Sequence, residues 1–445
     1  MTKPSLRTSH RSLGGCSPWT LPERRLGGQS LVIFALLLVA LAGIAGLALD
    51  GGNVLMIRRQ GQNAADQASL AGAFIMSRFN LGEQPIHELC SMANAALTAK
   101  AREQAGEYGY QNDTHDDWVT VSCPPTQGTY TGQPAYVEVS VRAQIPTALI
   151  HLVYDGSAEF TVRAVARGLP LRNIAQGYAI FGADPDDCDT IWFHGNADTF
   201  VVDGNIFSNS TANNPPSCSS GRLSGTGNVT LSVGRNFELA GNYRESGSGM
   251  LNGGVLENQN QQTLPAVPTP DCSGMPDYGI YKLNAGHTDS IPPGRYRSIT
   301  SMAGANLTFQ PGLYCIYGAT GLQANGGTLT GDGVTFYLTN GPVEIQGNPL
   351  VTLDAPTAGD WSGMLFYLAA SNPSNLTLTG TADTIYTGTI FAPNASISLS
   401  GDTGTVGFHT QVIGRTVEVG GNATLSVQYD RDDNFLLRPV VELVE

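Results

Sequence analysis

The hydrophobic pattern of the chain changes three times, and each change predicts a different kind of structure. From Ser30 to Leu49 it reads SLVIFALLLVALAGIAGLAL, twenty residues without a charge. At about 1.5 Å per helical residue this run matches the roughly 30 Å hydrocarbon core of a bilayer. A cleaved secretory signal has an apolar core of about 7–15 residues followed by a small-x-small site. Here the run is longer and leads through Asp50-Gly51-Gly52-Asn53 into further helix, so the pattern predicts a retained transmembrane span, Ser30 to Leu49. Beyond it, NVLMIRRQGQNAADQASLAGAFIMSR has no proline and is rich in helix formers. Gly61, Ala65, Ala68, Gly72 and Ile75 recur at steps of four and three, a helix packing face of mostly small residues. Such a stripe lets backbones approach closely. It fits packing on the protein's own sheet or against a helix of another chain.

The helical period persists through 76–111, where IHELCSMANAALTAKAREQAGEYG ends near Gly109. It then gives way to alternation. WVTVSC (118–123), AYVEVSVRAQI (135–145) and AEFTVRAVARG (158–168) read as half-buried strands, with a short helix from Pro146 to Val153 between the last two.

From Asn173 strong helical signals vanish, and short apolar runs alternate with Gly/Asn turns. Gly312, Gly333, Gly363, Gly388 and Gly407 each precede an apolar strand, at steps of 21, 30, 25 and 19 residues. A second strand follows in most units: VEIQG at 343–347, LTLTG at 376–380, ISLSG at 397–401 and VEVGG at 417–421. A coil of about 20–25 residues with two or three short strands predicts an all-β solenoid, a β-helix, in which each coil buries its apolar residues on its neighbours. A β-sandwich with evenly spaced strands is the alternative. PAVPTPDCSGMPDYG (265–279) reads as a loop inside this domain.

The expected organisation is therefore a disordered tail at 1–23, a membrane and amphipathic helix at 24–75, an α+β module with a small antiparallel sheet at 76–172, and a β-helix at 173–430. Residues 431–445 form a C-terminal cap over the open end, where strand edges are otherwise exposed.

Charge orients this plan. The first 29 residues carry Lys3, Arg7, Arg11, Arg24 and Arg25 against Glu23, which keeps that end in the cytoplasm of a single-pass protein. Residues 173–445 carry 24 Asp and Glu against 9 Lys and Arg. An acidic exterior argues against nucleic acid. Besides Cys16 there are six cysteines, Cys90, Cys123, Cys188, Cys218, Cys272 and Cys315, an even number for an oxidising compartment. Neighbour-to-neighbour pairing is the simplest of their fifteen arrangements.

The stretch GQSLVIFALLLVALAGIAGLALDGGNVLMIRRQGQNAADQASLAGAF resembles the N-terminal segment of TadG-like proteins of the Flp (tight adherence) pilus system. The Gly-Gln start, the apolar run ending in Leu-Asp-Gly-Gly, the Arg-Arg-Gln and the Gln-Asn-Ala-Ala-Asp-Gln-Ala-Ser-Leu-Ala-Gly box carry the resemblance, over residues 24–75. It implies an envelope protein tied to pilus assembly, partnered by the lipid bilayer and by pilus or pilin-like proteins of the Tad machinery, and it supplies no catalytic residue. A long helix followed by a small sheet is also the pilin-like arrangement. The C-terminal part has a weaker similarity to β-helical regions of pilus-associated surface proteins.

Catalytic signatures are missing. There is no GxSxG, no GxxxxGK[ST] and no HExxH. Asp184, Asp186, Asp187, Asp189 and His194 form the densest polar cluster but lack calcium-loop spacing, and read as a solvated loop. Asp332, Glu344, Asp354, Asp360, Asp383, Asp402 and Glu418 do not recur at one offset of the coil, as polysaccharide cleavage requires. Trp192, Tyr337, Trp361, Tyr367 and Tyr386 offer either core positions or a face for surface polysaccharide. The reading is a non-enzymatic protein without metal or cofactor, with a carbohydrate-binding adhesin as the alternative.

Overall fold

The computed structural model describes residues 29–81, 86–111, 117–145, 158–196, 198–214, 217–225, 230–402 and 404–445. The tail at 1–23 and the short helix expected at 146–153 lie outside these.

Helix α1 (Gln29–Ser77) is continuous over 49 residues. Its first part is exposed, Leu31 at 74% and Leu49 at 69% among others, whereas Ala64, Ala65, Ala68, Ala73 and Met76 are fully buried. The buried part packs on α2 (Leu89–Glu107) and on an antiparallel sheet of β1 (Asp117–Ser122), β2 (Tyr136–Ile145) and β3 (Ala158–Leu169). Val137, Val139 and Val141 of β2 alternate inward toward the helices. Contact is close because the facing residues are small. A Cβ on Gly61 would overlap the Phe160 ring, and one on Gly168 would overlap the Ala73 carbonyl. A disulfide joins Cys90 of α2 to Cys123 after β1.

The described residues between 178 and 428, apart from 257–276, form a parallel β-solenoid of about eleven turns. Each full turn contributes one strand to each of three sheets. The first sheet includes 312–316, 334–338, 364–368 and 389–392. The second includes 321–325, 343–346, 376–380 and 396–401. The third includes 306–309, 328–331, 350–354 and 385–387. Side chains at equivalent registers stack into columns inside, such as Leu322, Val343, Leu376, Ile397 and Val417. Tyr296, Tyr314, Phe336 and Phe366 continue as a ring ladder with centroids 6.0, 5.3 and 5.2 Å apart. Gly312, Gly333, Gly363 and Gly388 all have positive φ at the corner before the first sheet. Gly407 departs from that series: it lies within Thr405–His409, a third-sheet strand.

The order of the turns in space differs from their order in the chain. The turn at 412–428 does not end the stack. It pairs in parallel with the turn at 178–202, through Val412↔Ile180, Val417↔Ile191 and Val427↔Val201. From this seam the stack rises through 205–239 to an end at 243–256, and descends through the turns from 428 back to an end at 277–291. Residues 257–276, which include most of the expected loop, link the two ends along the outside of the first sheet. Leu264, Val267, Cys272 and Met275 cover Tyr337, Tyr367, Phe391 and their neighbours, and Cys272 is disulfide-bonded to Cys315. Twenty extended residues reach roughly 66 Å, enough to pass about ten strand spacings of about 4.8 Å.

Chain entry and exit both lie at the seam. Arg172–Asn173 pairs with Leu436–Leu437, and Val440–Leu443 adds a fourth strand to the module by pairing with β3. The expected cap at 431–445 is thus corrected. The chain leaves the stack at the seam, an interior turn, and its last residues pair with the β3 edge instead of closing an end.

Candidate functional surfaces: the apolar helix and the solenoid seam

Two places combine unusual chemistry with defined geometry. The first is α1, whose run from Ser30 is long and apolar enough to cross a membrane. Of the small face, Gly61, Ala65, Ala68 and Gly72 are buried and Ile75 is half-buried. Gly61 lies against Phe160 and Gly72 against Val137, so the protein's own sheet occupies this face. The side of α1 left open carries Leu55, Met56 and Phe74.

The second is the seam. Inside, the columns pass through it uninterrupted: Val419 meets Phe193 and Leu425 meets Thr199. At one corner Gly380, Gly401, Gly421 and Gly195 stack closely. A Cβ on Gly195 would overlap the Gly421 carbonyl, and one on Gly421 the Gly401 carbonyl. Outside, polar groups bridge the two turns. Arg415 donates to Asp184 (3.2 Å) and Asp187 (3.0 Å), His194 Nε2 lies 2.6 Å from Glu418 Oε1, and Asn196 donates to Asn422 (3.0 Å). Gln411 donates to the Tyr178 carbonyl (2.9 Å). Burial alone would raise the Asp184 carboxyl, but the backbone N–H groups of Asp186 and Asp187 and the Arg415 guanidinium outweigh it and hold it below its ordinary value.

Three of the four aspartates of the acidic cluster are thus held by arginines, and Asp186 joins it through its backbone N–H to Asp184 Oδ1 (3.0 Å). Asp189, next to Cys188, pairs with Arg222 (3.3 Å) and Arg244 (3.1 Å) on the next two turns. The Cys188–Cys218 disulfide closes the same region. Among the described residues no group of three or more His, Cys, Asp or Glu side chains is placed to hold a metal ion. The repeat-region carboxylates are distributed as well: Glu344 accepts from Gln323, Asp402 from Asn348, and Asp360 pairs with Arg438.

The aromatic residues do not form one exposed row. Tyr386 is inside the stack, and Tyr337 and Tyr367 lie in the cluster beneath the 257–276 strap. Trp361 packs on Phe435. Trp192 sits at the seam, with the Arg222 guanidinium over its ring at 5.3 Å.

The seam itself escaped the sequence reading. Its signal is present: Thr190-Ile-Trp-Phe-His-Gly195 follows the same hydroxyl, apolar, x, apolar, x, Gly pattern as Ser396–Gly401 and Thr416–Gly421. The units it joins are more than 200 residues apart in the chain, with every other turn between them in sequence.

Residues 28–74 match a family model described as putative Flp pilus-assembly TadE/G-like. Residues 303–433 match one described as a domain of unknown function, DUF7305. No curated protein and no solved structure matches the chain. The first match covers the apolar run and most of the buried part of α1, so this segment is TadE/G-like and supports a pilus-related role. The second covers turns on one side of the seam and stops where the chain leaves the stack.

Proposed function

We propose that this protein is a membrane-anchored, non-enzymatic structural component of a Flp-type pilus system, with its N-terminus cytoplasmic and its module and solenoid outside. One observation carries the reading: the TadE/G-like residues 28–74 are those over which α1 passes from an exposed apolar length to a length buried on the module. A helix continuous through both parts transmits position from the bilayer to the module without a hinge. The solenoid then stands out as a rigid acidic body, joined to the module by two chain segments at the seam. Because the small face of α1 is occupied internally, contacts with pilin-like partners use its outer side, near Leu55, Met56 and Phe74.

The test is in vivo crosslinking from positions 55 and 74, with alkaline extraction and protease accessibility of the solenoid in spheroplasts. Crosslinks to Tad components, retention in the membrane and cleavage from outside are expected. A protein released by alkali, or intact pili in a strain lacking it, overturns the proposal.

A second reading, an adhesin for neutral surface polysaccharide, rests on the outward row Thr308, Thr330 and Thr352 on the third sheet, where Thr308 and Thr330 hydroxyls lie 3.0 Å apart. Attachment that persists after deletion of the pilus genes favours it.

A further inference from the structure

We infer that the two free ends of the solenoid are stopped against end-to-end addition of a second copy of this chain, by Glu245 at one end and Asp289 at the other. Both ends present strands that pair with a neighbouring turn on one side only, Tyr243–Gly247 with Met250–Leu256 above, and Ile280–Leu283 with Thr288–Ile291 below, where side chains meet a few edge N–H groups, Glu257 that of Tyr243 and Asp289 that of Ser290. Such edges are templates for further pairing. Apolar side chains also remain exposed there, Met250 at 57% and Ile280 at 66%. The seam shows that turns of this sequence stack in register without direct chain continuity, so the edges alone do not prevent stacking.

The columns show what does. At the upper end, the second-sheet column Val419, Phe193, Leu223 terminates in Glu245. At the lower end, the third-sheet column Val351, Leu329, Leu307 terminates in Asp289. Both acids stand at registers that are apolar and buried in the adjoining turns. Each has a tyrosine beside it. The Tyr281 hydroxyl donates to Asp289 Oδ2 at 2.7 Å, and Tyr243 precedes Glu245 by two residues, facing the same way.

Following each column through the whole stack fixes what a second copy would meet. Glu245 would lie on Leu283, since Leu283 begins the column through Ser301, Ala324, Ile345, Leu378 and Leu399 to Val419. Asp289 would lie on Leu251, which continues the column of Leu231, Thr199 and Leu425. Outside, Arg244 would face Lys282. At the seam the matching positions are Val419 on Phe193 and Leu425 on Thr199. The seam therefore buries no unpaired charge, whereas an end-to-end contact would bury two carboxylates against leucines and oppose two cations. Inward-pointing charge is a recognised way to blunt a sheet edge.

The experiment is sedimentation velocity of the full chain in detergent over a wide concentration range, with negative-stain microscopy. Wild type is expected to keep one mass. Glu245→Leu/Asp289→Leu is expected to gain mass steadily with concentration and to form unbranched rods that repeat at the length of one solenoid. The isosteric Glu245→Gln/Asp289→Asn pair, which leaves shape unchanged, is expected to shift the same way to a smaller extent. Glu344→Leu, an outward carboxylate on an interior turn, is expected to sediment as wild type. The inference is overturned if folded forms of both double variants sediment as wild type. It is equally overturned if Glu344→Leu associates as they do, or if wild type already stacks end to end.

Discussion

The module and the solenoid bury apolar surface by opposite means. In the module the core is mostly alanine, glycine and valine, and each contact between α1 and the sheet occurs once. In the solenoid the core is made of large side chains repeated in columns, so each turn is both lid and floor to its neighbours. The module gains stability from closeness of backbones and the solenoid from repetition. The same kind of substitution should thus fail differently in each: by separation of elements in the module, and by a local fault within a standing stack in the solenoid.

The sharpest test of that contrast is Phe366→Ala. Phe366 is fully buried and stacks on Phe336 at 5.2 Å. Its removal should cost about 3–5 kcal/mol through the cavity left behind, read as a drop in the solenoid's denaturation midpoint while module probes stay unchanged. Next is the strap. Cys272→Ser opens a loop of 43 residues, for which chain entropy predicts about 4 kcal/mol. Hydrogen exchange should rise along 257–276 and beneath it, with the coil interior still protected.

Gly168→Ala probes the module. Its Cβ meets the Ala73 carbonyl, and a backbone atom cannot swing aside, so a loss of about 1–3 kcal/mol is expected. Increased proteolysis between α1 and the sheet, with an intact solenoid fragment, would mark the separation. Smaller still is the seam's outer clasp. Asp184→Asn should cost about 0–1 kcal/mol at neutral pH, as partly exposed ion pairs do. Its folded carboxyl lies below the unfolded value, so its contribution is complete above about pH 4 and is lost as pH falls further. The variant should therefore show a flatter acid limb than wild type in a plot of stability against pH.

Legibility followed sequence distance. The apolar run of α1, the small face and the strands of β1 to β3 are written in periods that a short window captures. The stacked strands at 343–347, 376–380, 397–401 and 417–421 were likewise readable, because consecutive turns repeat within about 20–35 residues. The strap needed more than pattern: PAVPTPDCSGMPDYG has the composition of a loop, and only the row of Tyr337, Tyr367 and Phe391 beneath it makes it a cover. The acidic cluster was visible as composition, but its partners Arg415, Arg222 and Arg244 lie 228, 33 and 55 residues away from the aspartates they hold.

By itself, the sequence determined an apolar helix, a small mixed module and an acidic run of β-coils, because each is set by local periodicity and by burial of one face. Tertiary structure alone decided that the coils stack out of chain order, that the module attaches at an interior turn, and that the last residues complete the module's sheet. Those choices depend on which free strand edge comes within reach once the pieces exist. Every turn offers nearly the same edge, so position in space, and the charge at each end, selects the partner.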